Sequence, residues 1–97
     1  MNHQIRTGVI GVGNIGQHHA RIYATLPGSY LVGIADTDAS RAQDIADRYQ
    51  VAAYTDYRTL LDQVDAVSVA APTTLHHEIG LACLARGVHV MMEKPLA

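Results

Sequence analysis

Apolar and polar positions alternate along this chain in two rhythms. Short apolar runs, the first built from Val9, Ile10 and Val12, recur at 30–35, 51–54, 66–71 and 88–92. Between them lie segments whose apolar residues fall every three or four positions, the spacing of a helix with one buried face. The first such segment covers 14–26, with Ile15, His19, Ile22 and Leu26 on one stripe, and Pro27 and Gly28 stop it. In the second, Asp38 is placed to cap a helix that turns Ala42, Ile45, Ala46 and Tyr49 inward. A short helix over 56–62 buries Leu60 and Leu61. Another over 74–86 turns Leu75, Ile79, Ala82 and Cys83 inward before Gly87 closes it in a left-handed cap. The run 66–71 is continuous and small-apolar, as a strand covered on both faces requires, and Pro72 ends it.

Strands alternating with helices predict an α/β fold, a doubly wound parallel sheet of the Rossmann type. Right-handed crossovers give the strand order 3-2-1-4-5. The order reverses between strands 1 and 4, so a ligand is expected across the carboxyl ends of those two. Residues 11–16, 71–76 and 93–95 are far apart in the chain and converge there only in this fold.

The first of these stretches carries the chemistry. Gly11, Gly13 and Gly16 follow the first apolar run directly and open the first helical segment. In a strand-turn-helix that binds a dinucleotide, each glycine has its own physical reason. Gly11 permits the tight turn, Gly13 lets the backbone approach a pyrophosphate, and Gly16 lets the helix pack close to the strand. The N–H groups of the helix start, around Asn14 and Ile15, together with the positive end of the dipole, suit two phosphate charges. The dipole supplies only about 0.3–1 kcal/mol, up to roughly 2 when partly buried, so direct N–H bonds must add to it. Asp36 stands twenty positions after Gly16, at the end of the second apolar run, where an acid meets the adenosine ribose hydroxyls.

That acid bears on the choice of cofactor. A carboxylate about 4 Å from a 2′-phosphate is repelled by roughly 1 kcal/mol in water and about 4 kcal/mol at an effective dielectric of 20. Arg41, the nearest following arginine, lies inside the second helix and reads as a poor phosphate receptor. NAD is therefore expected over NADP.

Composition narrows the alternatives. Ninety-seven residues, 48% apolar and 16% charged, make one globular domain, 1–97, burying about 60–65% of its unfolded surface. A net charge of −2 leaves no basic footprint for nucleic acid, and no apolar run approaches the ~18 residues a membrane span needs. The single cysteine, Cys83, allows no internal disulfide, and a cytoplasmic protein is expected. Of the six histidines, the adjacent pairs His18–His19 and His76–His77 do not face one another on a helix, and no Cys/His spacing matches a zinc site, so no metal is expected.

With these residues in place, the chain resembles the N-terminal half of the glucose–fructose oxidoreductase / inositol dehydrogenase (Gfo/Idh/MocA) family. The resemblance rests on the glycines with His18, on Asp36, on Pro72, Thr73 and His76, and above all on Glu93, Lys94 and Pro95 after the fifth strand. It implies a nicotinamide dinucleotide and hydride transfer to or from a hydroxyl-bearing carbon of a sugar, polyol or related compound. It implies that Lys94 is the catalytic lysine that orients the substrate hydroxyl, that Pro95 is the family's proline, often in a cis peptide, and that Thr73 and His76 border the nicotinamide ribose. The cofactor set is then Gly11, Gly13, Asn14, Ile15, Gly16, Asp36, Ala71, Pro72, Thr73, His76, Glu93 and Lys94. The family's substrate domain, with its proton-transfer residues, is expected beyond position 97, so the chain alone is expected to bind NAD and turn over nothing. Bare surface at strand 5 predicts a homo-oligomer. Two other readings stand beside the dehydrogenase: a nucleotide-sensing or interaction module without chemistry, and a methyltransferase using S-adenosylmethionine. The glycine spacing and Glu93, Lys94 and Pro95 count against the latter.

Overall fold

Five parallel strands form one sheet in the order β3-β2-β1-β4-β5. The computed structural model describes residues 4–71 and 73–92. In chain order the elements are β1 (Ile5–Ile10), α1 (Asn14–Thr25), β2 (Ser29–Ala35), α2 (Ala39–Tyr49), β3 (Ala52–Tyr54), α3 (Tyr57–Leu61), β4 (Ala66–Val69), a 3₁₀ turn (Thr73–Leu75), α4 (His76–Arg86) and β5 (His89–Met92). Fold class and strand order are as the hydrophobic rhythm predicts.

Alternation along β1 sends neighbouring side chains to opposite faces, which gives the domain two cores. Val9 packs with Leu31, Ile34, Ala20, Ile45 and Ala46 on the side covered by α1 and α2. Ile10 packs with Leu60, Leu61, Val69, Ile79 and Cys83 on the side covered by α3 and α4. Buried polar groups are satisfied across these layers. The Ser68 hydroxyl in β4 is hydrogen-bonded to the Tyr23 hydroxyl of α1 at 2.6 Å. Helix ends follow sequence chemistry: the Asp38 carboxylate accepts from the Arg41 N–H at 3.0 Å, and Gly87 caps α4 with φ 68°.

One helix faces differently from its apolar periodicity. Ile15, Ile22 and Leu26 are exposed, at 56%, 41% and 50%, while Gly16 and Ala20 are buried and Tyr23 half-buried. His19, from the same expected stripe, is half-buried. The sheet-facing line of α1 runs through Gly16, Ala20 and Tyr23, and at its start the turn lies too close to the helix for any side chain at Gly16. β4 is also shorter than the run 66–71: Ala70 still donates to Ile10 O, but it and Ala71 belong to the loop above the strand.

At the opposite end of the sheet, Asp65 ties β1 to the approach to β4. Its carboxylate accepts from the Arg6 side chain at 3.0 and 3.3 Å and from the Arg6 backbone N–H at 2.9 Å. The Arg6 guanidinium hydrogen bond, then the backbone bond, hold the Asp65 carboxyl below the usual carboxylate range. A carboxyl depressed in the folded state contributes stability that is complete above its unfolded pKa, about 4, and is lost as pH falls through its folded value. Thermal melts between pH 6 and pH 2.5 are expected to show a steeper acid loss for the native chain than for Asp65→Asn. Equal slopes would contradict this assignment.

Candidate functional site

The rim of the site is built by continuing the parallel ladder past the strand ends. Gly11 N–H donates to Ala35 O at 2.7 Å, Asp36 N–H to Tyr54 O at 3.0 Å, and Ala70 N–H to Ile10 O at 2.8 Å. These bonds fix three loops at the carboxyl edge, where the order reverses between β1 and β4. A cleft of about 240 Å³ opens between them. Its floor is apolar, from Ile10, Ala35, Leu75 and Ile79, and its β2 side is polar, from Asp36, Thr37 and Arg41.

The glycines of the turn differ in what they require. Gly11 has φ +87°, and a Cβ there would meet Ala71 N at 2.8 Å and the Ala70 carbonyl carbon at 2.9 Å. A Cβ on Gly16 would overlap the Gly11 carbonyl oxygen and stand 2.8 Å from its carbon. Both are constraints of the fold. Gly13 is unlike them: its φ of −69° and ψ of −163° suit any residue, and a Cβ there meets nothing within 4 Å. Neither backbone nor packing asks for glycine at 13. The bare backbone lies open beside the first turn of α1, whose leading N–H groups have no partner inside the helix. Open backbone and unpartnered N–H groups at a helix start are features that suit an anionic ligand.

Asp36 is 9% exposed at its side chain and uses both oxygens. Oδ2 accepts from the Val12 N–H at 2.9 Å, inside the glycine turn, and Oδ1 from the Asp38 N–H at 2.8 Å. The acid therefore also shapes the loop that would hold phosphate. Asp36→Asn keeps one acceptor oxygen and turns an NH2 group toward the other N–H. A hydrogen bond to a charged group is worth about 1.5–3 kcal/mol, so losing one is expected to lower the melting temperature even without cofactor, and NAD affinity with it. A variant as stable as the native chain would contradict this.

Arg41 requires a correction. Its guanidinium lies 3.8 Å from Asp36 Oδ2 and lines the cleft, although its Cα is inside α2. Helical side chains lean toward the N-terminus, so an arginine in the first turn reaches back to the preceding loop. Tyr57 and Thr37 also line the cleft and carried no motif signal. The Tyr57 hydroxyl donates to Glu78 Oε2 at 2.8 Å, and burial, then this bond, push the phenol up.

Of the remaining predicted residues, Ala71 lines the cleft and its carbonyl accepts from His76 Nε2 at 2.9 Å, which assigns the ring proton to that nitrogen. The Ile15 side chain points to solvent, which leaves its main chain as its part in the site. His18 is exposed, with its Nδ1 3.2 Å from an Arg21 guanidinium nitrogen, and does not line the cleft. Pro72, Glu93, Lys94 and Pro95 lie outside the described residues, as do the side chains of Asn14 and Thr73. Among the described residues no three His, Cys, Asp or Glu side chains group to hold a metal, and no helix is long and apolar enough to cross a membrane.

A glycine turn at a helix start, an acid after β2 and a cleft at the reversal of strand order define a dinucleotide-binding α/β domain. Residues 5–97 match the Gfo/Idh/MocA oxidoreductase family, NAD-binding Rossmann fold, and the chain belongs to that family. It is 42% identical over 91 residues to UDP-N-acetylglucosamine 3-dehydrogenase of Acidithiobacillus ferrooxidans, covering 94% of this chain and 28% of that protein. Inositol 2-dehydrogenase of Rubrobacter xylanophilus is 38% identical over 97 residues, covering 97% and 28%. Among solved structures, the Acidithiobacillus enzyme superposes with a TM-score of 0.89 at 41% identity, over 95% of this chain and 30% of that one. Scyllo-inositol dehydrogenase of Lactobacillus casei, with bound NAD(H) and scyllo-inositol, superposes with 0.87 at 25% identity, over 95% and 28%. The chain spans less than a third of the length of these relatives.

Proposed function

We propose that this chain is the cofactor domain of an NAD-dependent oxidoreductase acting on a sugar, polyol or related hydroxy compound, whose substrate domain lies in further sequence. The observation that carries the reading is Gly13, a glycine that neither backbone nor packing requires, at the mouth of a helix. The relatives, dehydrogenases of inositol and of a nucleotide sugar, supply the substrate class.

In this reading the main-chain N–H groups at 13–16 hold the pyrophosphate, and Asp36 accepts from the adenosine ribose hydroxyls. Ile10, Ala35 and Ile79 give the cleft a dry floor, which strengthens these polar contacts by excluding water. Ala71, Pro72, Thr73 and His76 border the nicotinamide side, with the His76–Ala71 bond holding that loop. Glu93 completes that side, and Lys94 orients the substrate hydroxyl. When bound, the nicotinamide would supply the group that exchanges hydride with the substrate; the chain supplies position and electrostatics.

Calorimetric titration tests the cofactor. NAD is expected to bind more tightly than NADP, and equal or tighter binding of NADP would contradict the role given to Asp36. The isolated chain is expected to show no turnover of inositol with NAD, because proton-transfer groups and a substrate wall belong to the other domain; measurable dehydrogenase activity from it would contradict this division. Val90 and Met91 on β5 and Leu81 and Leu84 on α4 are exposed. Such apolar surface favours a homo-oligomer, and the buried unpaired thiol of Cys83 suits a cytoplasmic protein.

A further inference from the structure

The outward stripe of α1 stands beside an uncovered part of the sheet. Ala20 turns toward β2 and α2, while the Tyr23 hydroxyl reaches Ser68 in β4. At about 100° per residue, Ile15, Ile22 and Leu26 follow Tyr23 round the helix on the flank away from Ala20. That flank overlooks β5. Met91 pairs with Ser68 in the parallel ladder, so its side chain shares the α1 face, where it is 58% exposed. Val90, paired with Val67, faces the α4 side instead. Three exposed residues of a helix and one of a strand thus form the wall and floor of a single apolar step.

Spacing says what fits this step. Helices pack about 8–10 Å apart and neighbouring strands about 4.8 Å, so the next helix on this face belongs two strands along. α1 packs over β1 and β2, and two strands on from β1 is β5. We propose that the step seats an amphipathic helix supplied by the further sequence that carries the substrate domain. The inference rests on the reading of this chain as a cofactor domain. The relatives have the polypeptide to supply it, since the chain covers only 28% of their length. A segment tethered in the same polypeptide meets the step at an effective concentration of about millimolar, which a second copy reaches only when concentrated. Apolar residues three and four apart on such a helix would close over Ile22, Leu26 and Met91. The upper end of the step is Ile15, in the first turn of α1 beside the glycine turn. A helix seated there brings the second domain to the mouth of the cleft.

Thiol labelling tests the seat. Ile22→Cys, Leu26→Cys and Met91→Cys replace exposed side chains, and the native Cys83 is buried, so background labelling is slow. Arg21→Cys, exposed on the solvent side of α1, is the reference. Each variant is made in this chain and in the full-length protein, with far-ultraviolet circular dichroism as the check on folding. In the dilute chain all four are expected to label at similar rates. In the full-length protein the first three are expected to slow by at least about tenfold relative to Arg21→Cys. Equal labelling of the three in both proteins would overturn the proposal. Protection in the chain alone that grows with its concentration would also overturn it, and would assign the step to a second copy. A full-length protein that protects the three cysteines yet oxidises no sugar or polyol with NAD would support the seat and overturn the functional reading beneath it.

Discussion

Gly16→Ala is expected to lower the melting temperature by about 8–16 °C. Alanine is the better helix former by about 1 kcal/mol, so local propensity alone predicts a gain. Packing opposes it. The added methyl overlaps the Gly11 carbonyl oxygen, which is main chain and cannot swing aside like the end of a flexible side chain. Gly11 is itself pinned by its N–H bond to Ala35 O and by the Ala70–Ala71 main chain. Overpacking of this kind costs roughly 1–3 kcal/mol and occasionally more, and backbone overlap belongs at the upper end. The net loss is then about 2 kcal/mol, and each kcal/mol moves the midpoint of a domain this size by about 4–8 °C. A differential scanning measurement within 2 °C of the native chain would mean that the turn and helix separate easily, contrary to the geometry described.

Three residues earlier, the outcome is opposite in kind. Gly13→Ser is expected to leave stability unchanged within about 0.5 kcal/mol, because the new Cβ meets open space and serine is at least as good an N-cap as glycine. NAD affinity is expected to fall at least tenfold, about 1.4 kcal/mol. The Cβ stands where the pyrophosphate must approach, and the hydroxyl caps the amides that would receive it. Calorimetry and thermal melts on one preparation separate the two quantities. A variant that is stable and binds NAD as the native chain does would show that Gly13 is not part of a phosphate cradle. Together the two variants would divide one motif into a glycine that packing requires, Gly16, and one that packing does not, Gly13.

Much of this was legible in the chain, for physical reasons that also explain what was not. Val67 faces one core and Ser68 meets Tyr23 on the other side, so the run 66–71 could be read as a strand covered on both faces. Glycine spacing and the position of Asp36 follow from covalent geometry and carried over unchanged. The face of α1 did not, because Ile15, Ile22 and Leu26 repeat with helical period and yet point outward. Periodicity ranks residues by apolar character, whereas the start of this interface is set by how closely main chains approach at Gly16. The place of Arg41 at the cleft was not legible for a related reason: sequence places its Cα inside a helix, but the reach of a long side chain depends on its lean. Ala70 and Ala71 extend an apolar run and so look like strand. Their place in the loop follows from the contact with Gly11, which no single-residue preference contains.

The central claim is that main-chain amides at the β1–α1 turn receive the pyrophosphate of NAD. Amide proton–nitrogen correlation spectra recorded through an NAD titration test it most directly. The largest shift changes are expected at residues 13–16, with smaller ones at Asp36, Thr37 and Ala71. Saturating NAD that leaves 13–16 unmoved, or shifts concentrated at Arg6, Asp65 and His89 on the opposite edge of the sheet, would contradict the account.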